Sequence, residues 1–191
     1  MNLDWIKLMP YSQIPNLLTL FRILACPVLV LLLYERHYDA ALAVFVLAGI
    51  TDGLDGFIAK RFNYVTSLGS LLDPIADKLL IACSYAMLAI LGDIPFWLLV
   101  VVMFRDLVII AGYLILVTME REVPMNPTYS SKLNTFMQIC LVVAVLVQQS
   151  ELMSVSPLIV LLILGVSLTT VISGIQYVWY WAIRHDLEAG S

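Results

Sequence analysis

Six stretches of about 20 apolar residues constrain this chain more than any other feature. They lie at about 14–34, 40–59, 71–91, 94–119, 131–149 and 156–183, and about 20 apolar residues is what a helix needs to cross the hydrocarbon core of a bilayer. A soluble globule offers no other home for them. Of the 191 residues, 62% are hydrophobic and 13% charged, with a mean hydropathy of +0.97. Soluble domains run at roughly 45–50% apolar and 25% charged, and a small one buries only about two-thirds of the surface its chain exposes. Disorder is excluded by the same composition. The expected fold is therefore an all-α integral membrane protein with six transmembrane helices. It forms one domain over 1–191, with residues 14–183 as its core.

The breaks between stretches carry turn chemistry: Glu35-Arg36-His37, then Gly92-Asp93 with Pro95, then Pro124 and Pro127. The opening segment, 1–13, places Trp5, Ile6, Leu8 and Met9 beside Lys7, a pattern suited to a short helix lying at the membrane interface. It resembles neither a signal nor a transit peptide. With both termini inside, the inner segments hold Lys7, Lys60, Arg61, Arg121, Lys132 and Arg184, and the outer ones only Arg36. That asymmetry predicts cytoplasmic termini, and Trp179-Tyr180-Trp181 falls where an aromatic belt would sit. The net charge of −4 gives no basic face for nucleic acid. Cys26, Cys83 and Cys140 sit in apolar runs without paired spacing and read as small hydrophobes.

Eight charges fall inside or against the spans: Arg22, Asp52, Asp55, Asp73, Asp77, Lys78, Arg105 and Asp106. Each costs about 2.5–3.5 kcal/mol at a helix centre, so such residues line polar cavities, bind ligands or pair with one another. Pairing alone is an adequate account of Lys78 or of Arg105 with Asp106. It is a poor account of the aspartates. Asp52 and Asp55 are three apart and Asp73 and Asp77 four apart, so each pair shares one face of its helix. Four carboxylates brought together cannot all ionise without a compensating cation. Hard oxygen donors select Mg²⁺, Mn²⁺ or Ca²⁺, and four of them can hold two ions, an arrangement suited to chemistry at phosphate. Gly53, Gly56, Ala59 and Gly69 flank the carboxylates, where bulk would keep a ligand from the backbone.

Read continuously, Asp52-x2-Asp55-Gly56-x2-Ala59-Lys60-x8-Gly69-x3-Asp73-x3-Asp77 resembles the signature of the CDP-alcohol phosphatidyltransferases, D-x2-D-G-x2-A-R-x8-G-x3-D-x3-D. Seven of its eight fixed positions match, with every spacing kept. The departure is Lys60 in place of Arg, which keeps the charge and loses the bidentate fork for phosphate; Arg61 follows it. The resemblance implies transfer of a phosphatidyl group from CDP-diacylglycerol to an alcohol with release of CMP, as a step of phospholipid synthesis. It implies that Asp52, Asp55 and Asp73 bind two divalent ions, Mg²⁺ or Mn²⁺, and the CDP pyrophosphate. Asp77 would be both a metal ligand and the base for the acceptor hydroxyl. Gly56, Ala59, Lys60 and Gly69 would seat the CDP moiety, and a homodimer in a bacterial inner membrane, its site facing the cytoplasm, would be the assembly.

The acceptor alcohol is read from fewer residues. Phosphatidylglycerophosphate synthases, whose acceptor is glycerol 3-phosphate, typically carry R-E with a second Arg eight residues after the first, and K-x-K-T at the fifth helix. Here Arg105-Asp106 is followed by Tyr113, and the fifth span opens Lys132-Leu133-Asn134-Thr135. Two cations for a dianionic acceptor are thus missing. Thr51-Asp-Gly-Leu-Asp-Gly, Leu68-Gly-Ser-Leu-Leu-Asp-Pro and Ser131-Lys-Leu-Asn-Thr are similar to the cardiolipin synthases of the same family. Their acceptor is phosphatidylglycerol, whose phosphodiester Arg105, Lys132 and Arg61 would hold. The alternative within the family is the glycerol 3-phosphate acceptor. From other classes, a divalent-cation transporter would be expected to repeat its acids in both halves of the chain, and helix glue would not have acids outnumbering bases.

Overall fold

The computed structural model of the chain describes the backbone of residues 14–62, 67–118 and 129–189, and the side chains of residues 21–51, 78–111 and 129–177. Among the described residues there are six helices and no strand: α1 Ile14–Tyr34, α2 Tyr38–Phe62, α3 Ser67–Leu91, α4 Phe96–Thr118, α5 Tyr129–Gln149 and α6 Ser156–Ala189. Each expected span has its helix. Most extend beyond the apolar stretch that announced them, because a helix satisfies its own backbone wherever it ends, whereas hydropathy stops at the first polar residues. α3 in particular begins at Ser67 and so carries Gly69 within the same helix as Asp73 and Asp77. The interfacial segment 1–13 lies outside the described residues.

α5 and the Ser156–Tyr177 part of α6 are long and apolar enough, by length and composition, to cross a membrane. Shorter apolar helical stretches run over Phe21–Tyr34, Tyr38–Thr51 and Lys78–Leu91. The distribution of side chains points the same way. Phe104, Leu107, Leu161 and Leu168 are each more than 60% exposed, whereas Arg22, Ser84, Arg105, Asn134, Thr170 and Ser173 are buried. Large apolar side chains on the outside, with the buried polar ones set among an apolar core, suit a surface that faces lipid.

The helices alternate in direction and pack in the order α1–α3–α4–α6–α5–α2, which closes back on α1, while α3 also touches α5 across the middle. Each turns an inward stripe at three- and four-residue spacing: Ala25, Leu29 and Leu33 on α1; Ala41, Phe45 and Ala48 on α2; Ile81, Tyr85 and Leu88 on α3; Leu141 and Val145 on α5. The three cysteines are free, Cys26 buried and the others partly so, as expected of small hydrophobes.

Turns close the bundle at the end opposite the aspartate signature. After α1, His37 N–H donates to Leu32 O (2.9 Å) and Arg36 N–H to Leu33 O (2.9 Å), with Arg36 at φ 60°. After α3, Asp93 N–H donates to Leu88 O (2.9 Å) and Gly92 N–H to Ala89 O (3.2 Å), with Gly92 at φ 84°. Both are Schellman caps, which satisfy the last carbonyls of a helix through one left-handed residue. Asp93 then ties three elements together. It accepts from Tyr38 Oη (2.9 Å) on α2 and from Gln149 Nε2 (2.5 Å) on α5. Burial, and then the bond to the Asp93 carboxylate, push the Tyr38 phenol up to about 12.

Candidate functional site

The signature residues are distributed over two consecutive helices. Asp52, Asp55, Gly56, Ala59, Lys60 and Arg61 stand on α2, and Gly69, Asp73 and Asp77 on α3. Uninterrupted helix through 52–55 and through 73–77 gives each pair the register that puts two positions on one face. The side chains of these nine residues lie outside the described residues. What the structure describes in full is the ground beside them, on α3, α4, α5 and α6.

Lys78 follows Asp77 directly, and its Nζ lies 2.8 Å from Asp106 Oδ1 on α4. The same oxygen accepts from Arg105 Nη1 at 2.7 Å. Arg105 Nη2 in turn donates to Ser131 Oγ on α5 (2.7 Å) and to Ser173 Oγ on α6 (2.5 Å). Its guanidinium carbon is 6.0 Å from the centroid of the Tyr177 ring, at the limit of a cation–π contact. One arginine thus joins α4, α5 and α6, and the shared carboxylate joins them to α3 beside the fourth signature aspartate. The Arg105 side chain is 4% exposed and that of Lys78 39%. So deep a guanidinium is tolerable only because it is paired and hydrogen-bonded. Arg105 Nε nevertheless has no hydrogen-bond partner among the described residues.

One turn along α5 from Ser131, Asn134 is fully buried. Its Oδ1 accepts from Thr170 Oγ1 (2.8 Å); Thr169 Oγ1 lies 2.9 Å from the same oxygen and 2.8 Å from Gly165 O, between which its one proton is shared. Asn134 Nδ2, like Gln138 Nε2 a further turn along, has no partner among the described residues. Lys132, by contrast, places its Nζ 5.9 Å from the centroid of the exposed Tyr129 ring. The expected acceptor cations are therefore in different settings: Arg105 is built into the bundle, Lys132 lies over an aromatic ring beside the start of α5, and Arg61 lies outside the described side chains.

Sequence reading singled out Arg105, Asp106 and Lys78 as charges in apolar surroundings, and the structure unites them. It missed Ser131, Ser173, Thr169 and Thr170. Their signal was weak, since hydroxyls in membrane helices most often bond the carbonyl four residues back. Ser84 to Leu80 O (2.8 Å) and Ser167 to Ile163 O (2.6 Å) do just that.

With helices, signature and polar ground in place, comparison with known proteins is decisive for the class. The family model described as CDP-alcohol phosphatidyltransferase matches residues 12–179. The chain belongs to the CDP-alcohol phosphatidyltransferase family. Among its relatives, "Cardiolipin synthase (CMP-forming)" of Rattus norvegicus is 40% identical over 149 residues, 69% of this chain and 49% of that protein. "Probable phosphatidylglycerophosphate synthase" of Mycobacterium tuberculosis (strain CDC 1551 / Oshkosh) is 34% identical over 173 residues, 87% of this chain and 80% of that protein. "CDP-diacylglycerol--glycerol-3-phosphate 3-phosphatidyltransferase" of Rickettsia bellii (strain RML369-C) is 38% identical over 130 residues, 66% of this chain and 71% of that protein. The match thus spans about half the length of the rat cardiolipin synthase and most of the length of the bacterial proteins.

Proposed function

We propose that this protein transfers a phosphatidyl group from CDP-diacylglycerol to an alcohol and releases CMP, with phosphatidylglycerol as the acceptor. The observation that carries the reaction class is the signature itself, seven of eight positions at unbroken spacing on two helices of a family member. Family membership also favours the enzyme over a cation transporter.

Asp52, Asp55, Asp73 and Asp77 offer only carboxylate oxygens, a donor set that fits Mg²⁺ or Mn²⁺ and would hold two ions. Bound there, the metal would neutralise the pyrophosphate and stabilise CMP as the leaving group. Asp77 takes the proton of the acceptor hydroxyl. The freed oxygen forms a bond to the phosphatidyl phosphorus as the bond from that phosphorus to the CMP oxygen breaks. Gly56, Ala59 and Gly69 leave room for the nucleotide, and Lys60 and Arg61 supply charge to its phosphates. Arg105 meets the phosphate of the acceptor, with Lys132 contributing at the start of α5.

Asn134 supports phosphatidylglycerol as acceptor. It is a neutral, buried amide at the place of the second lysine of the K-x-K-T pattern, and Tyr113 stands at the place of the second arginine. The remaining charge suits a phosphodiester better than a phosphate monoester. Glycerol 3-phosphate is the second reading, favoured by the bacterial relatives, which this chain covers more fully. The surrounding architecture proposed is a single domain, 1–191, of six membrane-spanning helices with cytoplasmic termini. It would sit as a homodimer in a bacterial inner membrane with its site at the cytoplasmic face. Purified protein given CDP-diacylglycerol and one acceptor at a time, with lipid products identified by mass, tests the choice. Cardiolipin from phosphatidylglycerol is expected; phosphatidylglycerophosphate from glycerol 3-phosphate, with nothing from phosphatidylglycerol, would overturn it.

A further inference from the structure

Two buried side chains on different helices, Arg105 on α4 and Asn134 on α5, each keep a hydrogen-bond donor, Arg105 Nε and Asn134 Nδ2, without a partner among the described residues. An unmade hydrogen bond of this kind costs about 1–3 kcal/mol, and the cost is harder to escape where lipid surrounds the bundle. Neither group can turn away. Arg105 is held by Asp106, Ser131 and Ser173. The hydroxyl of Thr170, itself 1% exposed, has Asn134 Oδ1 as its acceptor at 2.8 Å, which fixes the oxygen toward α6 and the NH₂ away from it. Thr170 and Ser173 are three apart on α6, so one face of that helix orients both donors. Ser131, which touches Arg105, and Asn134 are likewise three apart on α5, about 5–6 Å between their Cβ atoms.

A charged donor that touches Ser131 and a neutral donor three residues along the same α5 match a ligand that offers both a charged oxygen and an uncharged one. Within the acceptor site proposed above, on which this inference rests, a glyceryl phosphate has that form: the phosphate for Arg105, a hydroxyl or ester oxygen for its neighbour. We infer that Asn134 is a specificity-determining residue of the acceptor site, its Nδ2 donating to an uncharged oxygen of the acceptor while Arg105 holds the phosphate.

The test is steady-state kinetics of Asn134→Leu and Thr170→Val in the full-length protein. KM is measured separately for CDP-diacylglycerol and for the acceptor, phosphatidylglycerol and glycerol 3-phosphate each being offered. Leu keeps the branched shape of Asn, is somewhat larger, and removes the acceptor of Thr170 together with the free donor. Asn134→Leu is expected to raise the acceptor KM at least tenfold with the CDP-diacylglycerol KM unchanged, and to lower the thermal midpoint because the buried Thr170 hydroxyl loses its acceptor. Thr170→Val, which frees the amide to turn, is expected to raise the acceptor KM less and in the same direction; it decides the matter if the first variant does not fold. An acceptor KM unchanged in both variants, or the CDP-diacylglycerol KM rising together with the acceptor KM, would overturn the inference. Wild-type protein that uses glycerol 3-phosphate and ignores phosphatidylglycerol would refute the proposed acceptor instead, and the Asn134 effect would then be read on glycerol 3-phosphate.

Discussion

The two ends of the bundle both hold polar side chains among apolar ones, and they treat them differently. At the end closed by the Schellman caps, Asp93 has each carboxylate oxygen occupied, one by Tyr38 and one by Gln149. Gln148 Oε1 likewise accepts Val155 N–H at 2.7 Å, before α6 starts. There the polar groups complete the connections between helices. At the signature end, Arg105 and Asn134 are held by hydrogen bonds, yet each keeps a donor without a partner among the described residues. Complete pairing is what a structural network needs, since a half-satisfied one is worse than none. Donors that are oriented and left over are what a binding site needs before its ligand arrives.

This contrast can be broken in several places. The largest effect is expected at Asp77→Asn, which should lower CMP release by at least about 10²-fold, as loss of a general base does, while CDP-diacylglycerol still binds. Near-normal turnover would remove Asp77 from the role of base. Next, Arg105→Leu should raise the acceptor KM about 10-fold or more, the order expected for a charge-assisted hydrogen bond. Lys78 remains as a partner for Asp106, so the variant should fold, which circular dichroism in detergent checks.

Asp93→Ala, at the opposite end, should do the converse. It loses two hydrogen bonds and about 1–3 kcal/mol of stability, seen as a lower thermal midpoint, with kcat/KM unchanged when the protein is folded. A drop in kcat/KM without loss of stability would mean that the two ends are not distinct in kind. The smallest effect concerns pH. Because the folded-state phenol of Tyr38 is raised to about 12 from an ordinary value of 10, the folded state favours its neutral form. That contribution is fully present below pH 10 and is lost as pH rises from 10 toward 12. Tyr38→Phe should flatten this part of the stability profile, whereas a profile unchanged by the substitution would show that the Tyr38–Asp93 bond contributes nothing.

Much of the fold could be read from hydropathy, because a lipid-facing helix must be apolar over its length and its breaks carry Gly, Pro and charge. The helix ends were less legible: Ser67 and Phe62 are set by where backbone hydrogen bonding stops, which polar and apolar residues obey alike. The signature was legible because chemistry at a pyrophosphate ties residue types to fixed spacing. The acceptor side was not, since Ser131, Thr170 and Ser173 come from α5 and α6 and act only through what they orient. Their alignment is a product of helix packing, and a lone hydroxyl in an apolar run gives no sign of it. Asn134 was visible only as an absent lysine; its buried, pinned amide is a fact of three dimensions.

The central claim is that the signature end performs metal-dependent phosphatidyl transfer, and CMP release tests it most directly. Purified protein with CDP-diacylglycerol and phosphatidylglycerol should release CMP when Mg²⁺ or Mn²⁺ is supplied. Release should cease in EDTA and return when the metal is restored. Release that persists undiminished in EDTA, or that neither metal supports with either phosphatidylglycerol or glycerol 3-phosphate, would contradict it.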